Sequence, residues 1–216
     1  MKTVLVKINV VLRCSPLSGS WFCAMLFATS LSICEAQESF PTKDSQSSQK
    51  VRKPNAPAII FAPVLEKATE ENLSVVIMLG KQRAYLKVDN EIAIDSPVST
   101  GKRQGMTPPG NYIVVQKNSD HRSNLYGSFI DAEGRTVRSG VSARRDVAPP
   151  GTSFVGAPMK WFMRLGKDPM DYSAMGMHAG DLPGYPASHG CIRLPAQIAR
   201  AIFLKAPLGM PVCITE

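Results

Sequence analysis

The pattern of apolar and polar positions changes at Ser74. From there on, short β-branched and apolar runs alternate with turn residues, which predicts strands rather than long helices. Ser74-Val75-Val76-Ile77-Met78-Leu79 is the first run, and Gly80-Lys81 breaks it. Ala84-Tyr85-Leu86-Lys87-Val88 follows, then the turn pair Asp89-Asn90, then Ile92-Ala93-Ile94. Two strand-like runs around a tight turn predict a β-hairpin. Thr107-Pro108-Pro109-Gly110 predicts a second turn leading into Tyr112-Ile113-Val114-Val115, and Pro211-Val212-Cys213-Ile214 predicts a closing strand. Between Pro195 and Lys205, Ile198, Ile202 and Leu204 recur near helical spacing, with Pro195 suited to a first turn and Gly209 beyond the end. The expectation is a mainly β domain over residues 73–216 with one or two short helices. No fixed-period repeat is visible, which argues against a solenoid.

Upstream of that domain the texture differs. Lys2, Lys7 and Arg13 give a basic start, and residues 21–34 (WFCAMLFATSLSIC) are uncharged and mostly apolar. Cys34-Glu35-Ala36 then places small residues ahead of the polar Gln37-Glu38-Ser39. That order predicts a signal peptide over residues 1–36. The apolar stretch is short for a membrane span, which needs about 20 residues; membrane contact would follow only if the segment were retained as an anchor. A lipid-modified Cys34 is disfavoured by the bulky Ile33 before it. Residues 37–72 are rich in Ser, Gln, Lys, Pro and Glu, a composition that predicts a flexible linker.

Charge adds little. The chain carries 25 Lys and Arg against 17 Asp and Glu, a formal charge of +8. Such a balance suits solubility and an acidic polymer such as a bacterial wall equally well. A nucleic-acid partner is not supported, because no basic run with interleaved aromatics or nucleic-acid motif is present.

Cysteine usage is more telling. Cys14, Cys23 and Cys34 fall in the expected signal segment, which leaves Cys191 and Cys213, too few for a disulfide framework. A thiol kept in an oxidising compartment is then there for its chemistry. Cys213 sits in an apolar run and reads as an inert packing residue, although a Cys191–Cys213 disulfide would offer an off-switch. Cys191 closes the chain's densest reactive segment, residues 178–195 (HAGDLPGYPASHGCIRLP), which holds two of the three histidines. A thiolate nucleophile needs a nearby base or positive field. His189 lies two residues before Cys191, His178 thirteen before, and Arg193 and an expected helix start just after it. Gly190 would let the backbone approach a substrate, and the N–H groups around Gly190 and Cys191 would form an oxyanion hole. A zinc site of His178, Asp181, His189 and Cys191 is the rival reading, with a spacing that matches no common zinc signature. His121, in the polar run Asn118-Ser119-Asp120-His121-Arg122, reads as a solvated loop residue.

These residues resemble the L,D-transpeptidase catalytic domain, the YkuD-like family. The Ser-His-Gly-Cys-Ile-Arg-Leu run at 188–194 and the upstream His178 carry the resemblance. Gln82, Ala84, Ser99-Thr100-Gly101, Thr107-Pro108-Pro109-Gly110, Tyr126-Gly127 and the closing Gly-Met-Pro-Val-Cys-Ile agree in order. It implies a β-sandwich and a two-step reaction without cofactor or metal. Cys191 would be the nucleophile and His178 the general base, oriented by the Ala179 carbonyl. Ser188, His189 and Gly190 would shape the site and its oxyanion hole, while Arg193 and Tyr126 would meet substrate. The interval from His178 to Ser188 is shorter than in many members, which implies a trimmed loop over the site.

The implied donor is a tetrapeptide stem of peptidoglycan, acylating Cys191 with loss of D-alanine. An amine on a neighbouring stem would complete a 3-3 cross-link. Water as acceptor would give L,D-carboxypeptidase action, and a lysine of an envelope lipoprotein would give protein anchoring. Carbapenems are the implied trapping agents. A periplasmic or wall-associated location follows. Two other classes remain open, namely a wall-binding module without catalysis and a cysteine hydrolase of another wall-linked substrate.

Overall fold

The structure is a computed structural model that describes residues 56–216. Its elements, in chain order, are β1 (Ile59–Ile60), α1 (Ala62–Leu65), β2 (Leu73–Met78), β3 (Arg83–Val88), β4 (Glu91–Pro97), β5 (Gly110–Ile130), β6 (Thr136–Ser142), β7 (Ser153–Gly166), β8 (Gly176–Ala179), β9 (Ile192–Leu194), α2 (Ala196–Lys205) and β10 (Pro211–Thr215). The alternating runs behave as their pattern dictates. Leu73, Val75 and Ile77 of β2 are buried while the residues between them are half-buried, and Val212 and Ile214 of β10 repeat the pattern. β3 and β4 form the expected hairpin, with Leu86 opposite Ile94.

The strands join in one mixed sheet ordered β1-β4-β3-β2-β10-β5-β7-β8-β9, with β6 paired to β5. β10 inserts parallel to β2 and antiparallel to β5, so the end of the chain lies mid-sheet. The sheet curls over its core until β9 meets the chain just beyond β4. There Ser99 and Arg193 exchange backbone hydrogen bonds of 3.1 and 3.0 Å. α2 buries Ile198, Ala199 and Ile202 in that core, and its Ala206 C-cap ends the helix in extended backbone. The fold is thus mainly β with two short helices, as expected.

Several expectations fail locally. The linker reading does not describe residues 56–72. Phe61 N–H donates to the Ala93 carbonyl at 2.8 Å, β1 pairs with β4, and Val64, Leu65 and Ala68 pack on the core. The polar neighbours of these apolar residues mask them in any composition average. Ala56 also matters: its carbonyl accepts from Arg83 Nη1 at 2.7 Å, while Arg83 Nε donates to Asp95 at 2.8 Å. This guanidinium is 1% exposed, and burial is tolerable because it is paired. The rest of the expected linker and the expected signal segment lie outside the described residues. Among the described residues, no helix is long and apolar enough to cross a membrane.

β5 is the second surprise. It continues through the polar stretch to Ile130 and pairs with the long β7, so His121 is a strand residue, not a loop residue. Its ring stacks on Phe162 at 4.3 Å, which explains why it is only partly exposed. Third, β9 separates Cys191 from α2, so the helix N-terminus does not begin directly after the thiol.

Candidate active site

Strand register builds the site. β7 and β8 pair Arg164 with Gly176 and Met163 with Met177; β8 and β9 pair Met177 with Ile192 and His178 with Arg193. Side chains alternate along a strand. Met177 therefore points into the core, where it is fully buried, while Gly176 and His178 share the other face. Cys191 immediately precedes β9, level with Gly176. Cys191 and His178 both line one open cavity of about 1340 Å³.

Nδ1 of His178 lies 2.7 Å from the Ala179 carbonyl oxygen. A carbonyl only accepts, so Nδ1 carries the proton and Nε2 is left bare as a base. Burial, with Arg193 and His121 adding positive potential, lowers the imidazole pKa to about 4 despite the opposing pull of the Ala179 carbonyl. The ring is therefore neutral at pH 7. The Cys191 thiol faces the Ala174 carbonyl at 3.6 Å. Burial raises its pKa, while the Gly176 N–H, Arg164 and Arg193 pull the other way. Burial thus favours the neutral form of both the thiol and the imidazole.

The turn before Cys191 is held by hydroxyls. Ser188 Oγ, 2% exposed, donates to the Cys191 carbonyl at 2.6 Å and accepts from Gly190 N–H at 3.0 Å. Gly190 N–H is thereby engaged by Ser188 Oγ, and Gly190 also contributes conformation. Its φ is +133°, and a Cβ there would approach the Met106 carbonyl oxygen to 2.8 Å. Thr107 Oγ1 donates to the Gly190 carbonyl at 2.7 Å and accepts from Gly101 N–H at 2.8 Å. Gln82 anchors this segment from behind. It accepts from Thr100 N–H at 3.0 Å and donates to Thr100 Oγ1 at 2.8 Å. Ser99 Oγ donates to the Tyr185 carbonyl and accepts from Ala187 N–H, tying down the loop after Gly180.

The expected substrate-contacting residues gather at the same mouth. Tyr126 stacks on His189 at 4.1 Å, and Nε2 of His189 accepts from Lys102 at 3.2 Å. Burial lowers the His189 pKa, and Lys102, Arg193, Arg145 and Arg103 lower it further, marking this rim as basic. Arg193 lines the cavity from β9. The zinc reading is not assembled: among the described residues, no three His, Cys, Asp or Glu side chains gather to hold an ion. Cys191 has a free thiol, so it is not joined to Cys213. Cys213 is half-buried, on the face of β10 opposite Val212 and Ile214.

Sequence reasoning missed Arg164, His121, Phe162 and Ala174, all of which line the cavity. For Phe162 and Arg164 the one available signal was the largely apolar run at 159–165, readable as a strand; His121 and Ala174 had none.

Fold and cavity together define a mainly β domain in which a free thiol and a neutral, oriented imidazole face a common open site. The chain belongs to the L,D-transpeptidase catalytic domain family, YkuD, whose model matches residues 73–214. Among solved structures, an L,D-transpeptidase from Mycobacterium smegmatis is 17% identical with a TM-score of 0.48, over 67% of this chain and 59% of that one. An Enterococcus faecium L,D-transpeptidase mutant is 22% identical, with a TM-score of 0.45 over 67% of this chain and 50% of that one. One from Stackebrandtia nassauensis is 16% identical, with a TM-score of 0.46 over 70% of this chain and 60% of that one. The chain thus spans half to three fifths of the length of these three structures. No curated protein matches it significantly.

Proposed function

We propose that the protein is a peptidoglycan L,D-transpeptidase with Cys191 as nucleophile and His178 as general base. The observation that carries this reading is that a free thiol and a buried imidazole, its Nδ1 committed to the Ala179 carbonyl, line the same cavity. Family membership supports the class of substrate, a tetrapeptide stem.

In the first step Sγ of Cys191 attacks the carbonyl carbon of the third stem residue as Nε2 of His178 takes the thiol proton. Because both groups rest neutral, proton transfer accompanies attack. The backbone N–H of Cys191 takes the role of oxyanion donor in this reading, which the bond from Gly190 N–H to Ser188 Oγ supports. Collapse breaks the peptide bond, and His178 returns the proton to the departing D-alanine amine. In the second step an acceptor amine attacks the thioester, its proton passes to His178, and the thiolate leaves and is reprotonated. A stem amine completes a 3-3 cross-link; Arg193, Tyr126 and His189 are placed to hold the stems. The basic, apolar and small-residue order at the N-terminus supports export to the periplasm or wall.

The test is mass spectrometry of the purified protein with tetrapeptide muropeptides. The expected result is a mass increase on Cys191 from the tripeptide acyl group, followed by cross-linked dimers, with both absent in Cys191→Ala. Tripeptide alone would identify water as acceptor, and adducts on an added lipoprotein would identify anchoring. A wild-type chain that neither a tetrapeptide nor a carbapenem acylates would overturn the assignment.

A further inference from the structure

Arg164 stands on β7 directly across from Gly176 of β8, and Gly176 is level with Cys191. The next ladder pairs Arg164 with Gln116 of β5. Gln116, Arg164, Gly176 and Cys191 thus form a row across neighbouring strands. Directly opposed residues project to the same face of a sheet, the face that His178 shares.

Within that row the guanidinium is held from three sides. Nε donates to Gln116 Oε1 at 2.8 Å, Nη1 donates to the Ser173 carbonyl at 2.5 Å, and its centre lies 5.3 Å from the Phe162 ring centroid. A planar cation so constrained has a set orientation. Gly176 leaves no side chain between Arg164 and Cys191, and a Cβ there would come within 2.5 Å of the Phe162 ring. Among the described residues no carboxylate lies within ion-pair distance of Arg164, although Asp171 and Asp181 line the same cavity. A strap between β7 and the segment at Ser173 needs only a hydrogen-bond donor. A fixed cation in line with the thiol, with no carboxylate partner among the described residues, is more than a strap requires.

We propose that Arg164 is a positioning residue for the reaction, a fixed positive charge that stabilises the negative charge on Cys191 sulfur as its proton leaves. This rests on the reading of Cys191 as nucleophile. Arg193 from β9 is the other cation acting on the sulfur, and its stem packs close to Gly180. His178 from β8 and His121 from β5 face the same cavity, and both have pKa values lowered by burial. They are neutral where the thiol titrates, so the arginines supply the field.

The test is the pH dependence of Cys191 alkylation by iodoacetamide, located by peptide mass mapping on the full chain. Arg164→Gln is expected to slow alkylation at neutral pH by about tenfold, the change that one pKa unit makes in thiolate fraction. It should shift the midpoint upward, and Arg164→Lys should recover at least half of the loss. Gln116→Leu, which frees the guanidinium without removing it, should shift the midpoint in the same direction by less. A folded Arg164→Gln protein whose alkylation profile superimposes on wild type would overturn the proposal. If that variant does not fold, a Gln116→Leu profile identical to wild type does so. No stem peptide enters the measurement, so a failed acyl-transfer assay and a failed charge effect are separable.

Discussion

The two walls of the cavity are built by different means. One wall, the turn from Ser188 to Cys191 with the segment from Ser99 to Thr107, has few main-chain bonds, chiefly from Ser188 to Thr100 and Lys102 and from Ser99 to Arg193, and is otherwise held by the side-chain oxygens of Ser188, Thr107, Ser99 and Gln82. The other wall, carrying Phe162, Arg164, Gly176 and His178, is placed by the backbone ladders of β7, β8 and β9. A ladder survives the loss of one side chain, because its hydrogen bonds are main-chain. A turn held by hydroxyls does not, because each buried oxygen satisfies a specific partner. Substitutions on the first wall should therefore move Cys191, whereas those on the second should leave it in place and change the electrostatics around it.

The largest separation should come from Gly190→Ala. The new Cβ would press on the Met106 carbonyl, and alanine would hold φ near +133° only under strain. Shifting the thiol by about 1 Å is enough to cost about 10²-fold in turnover. Acyl transfer to stem peptides should fall by at least that factor, with the imidazole titration unmoved. Transfer within threefold of wild type would show that the turn does not set the thiol's position.

The second wall is sharpened by pH. The His178 pKa is depressed to about 4, so the folded protein favours the neutral ring. Its contribution to stability is fully present above the unfolded value near 6.5 and is lost as pH falls through 4. At about 1.4 kcal/mol per unit the effect reaches about 3 kcal/mol. Urea unfolding at pH 7 and pH 4.5 should show that loss in wild type and not in His178→Gln. The acid limb of kcat/KM should likewise fall near pH 4 instead of near 6.5. A limb near 6.5 would mean that His178 is more solvated than its 6% exposure implies.

The same contrast explains what the sequence made legible. β2, β3, β4, β10 and α2 each have one buried face, and their apolar periodicity announces it. The outer half of β5 has no such face. Residues 116–124 are mostly exposed and polar, and main-chain pairing with β7 holds them, so no hydrophobic pattern records the strand. Cys191 and His178 were legible because rare, reactive side chains lie close together in sequence. Arg164 and His121 were not, because strand register alone brings them to the thiol from far along the chain. The hydroxyl-held wall was half legible: Thr107 and Ser99 stood out as family positions, yet only the fold shows that they hold the turn bearing Cys191.

Thr107→Val tests that last point with the smallest effect. Valine keeps the shape of threonine and deletes one oxygen, which now accepts from Gly101 N–H and donates to the Gly190 carbonyl. Thr107 is 4% exposed, so water cannot readily replace it. Leaving a buried donor unpaired costs about 1–3 kcal/mol, and a loss of about 2 kcal/mol is expected in chemical denaturation. The Gly190 carbonyl would lose its tether at the same time, so acyl transfer should fall by roughly tenfold, about 1.4 kcal/mol. Thr107→Ser, which restores the oxygen but not the methyl, should recover most of the turnover. If serine and valine lose turnover equally, the methyl packing and not the hydrogen-bond bridge supports the turn, and the two walls differ less than their construction indicates.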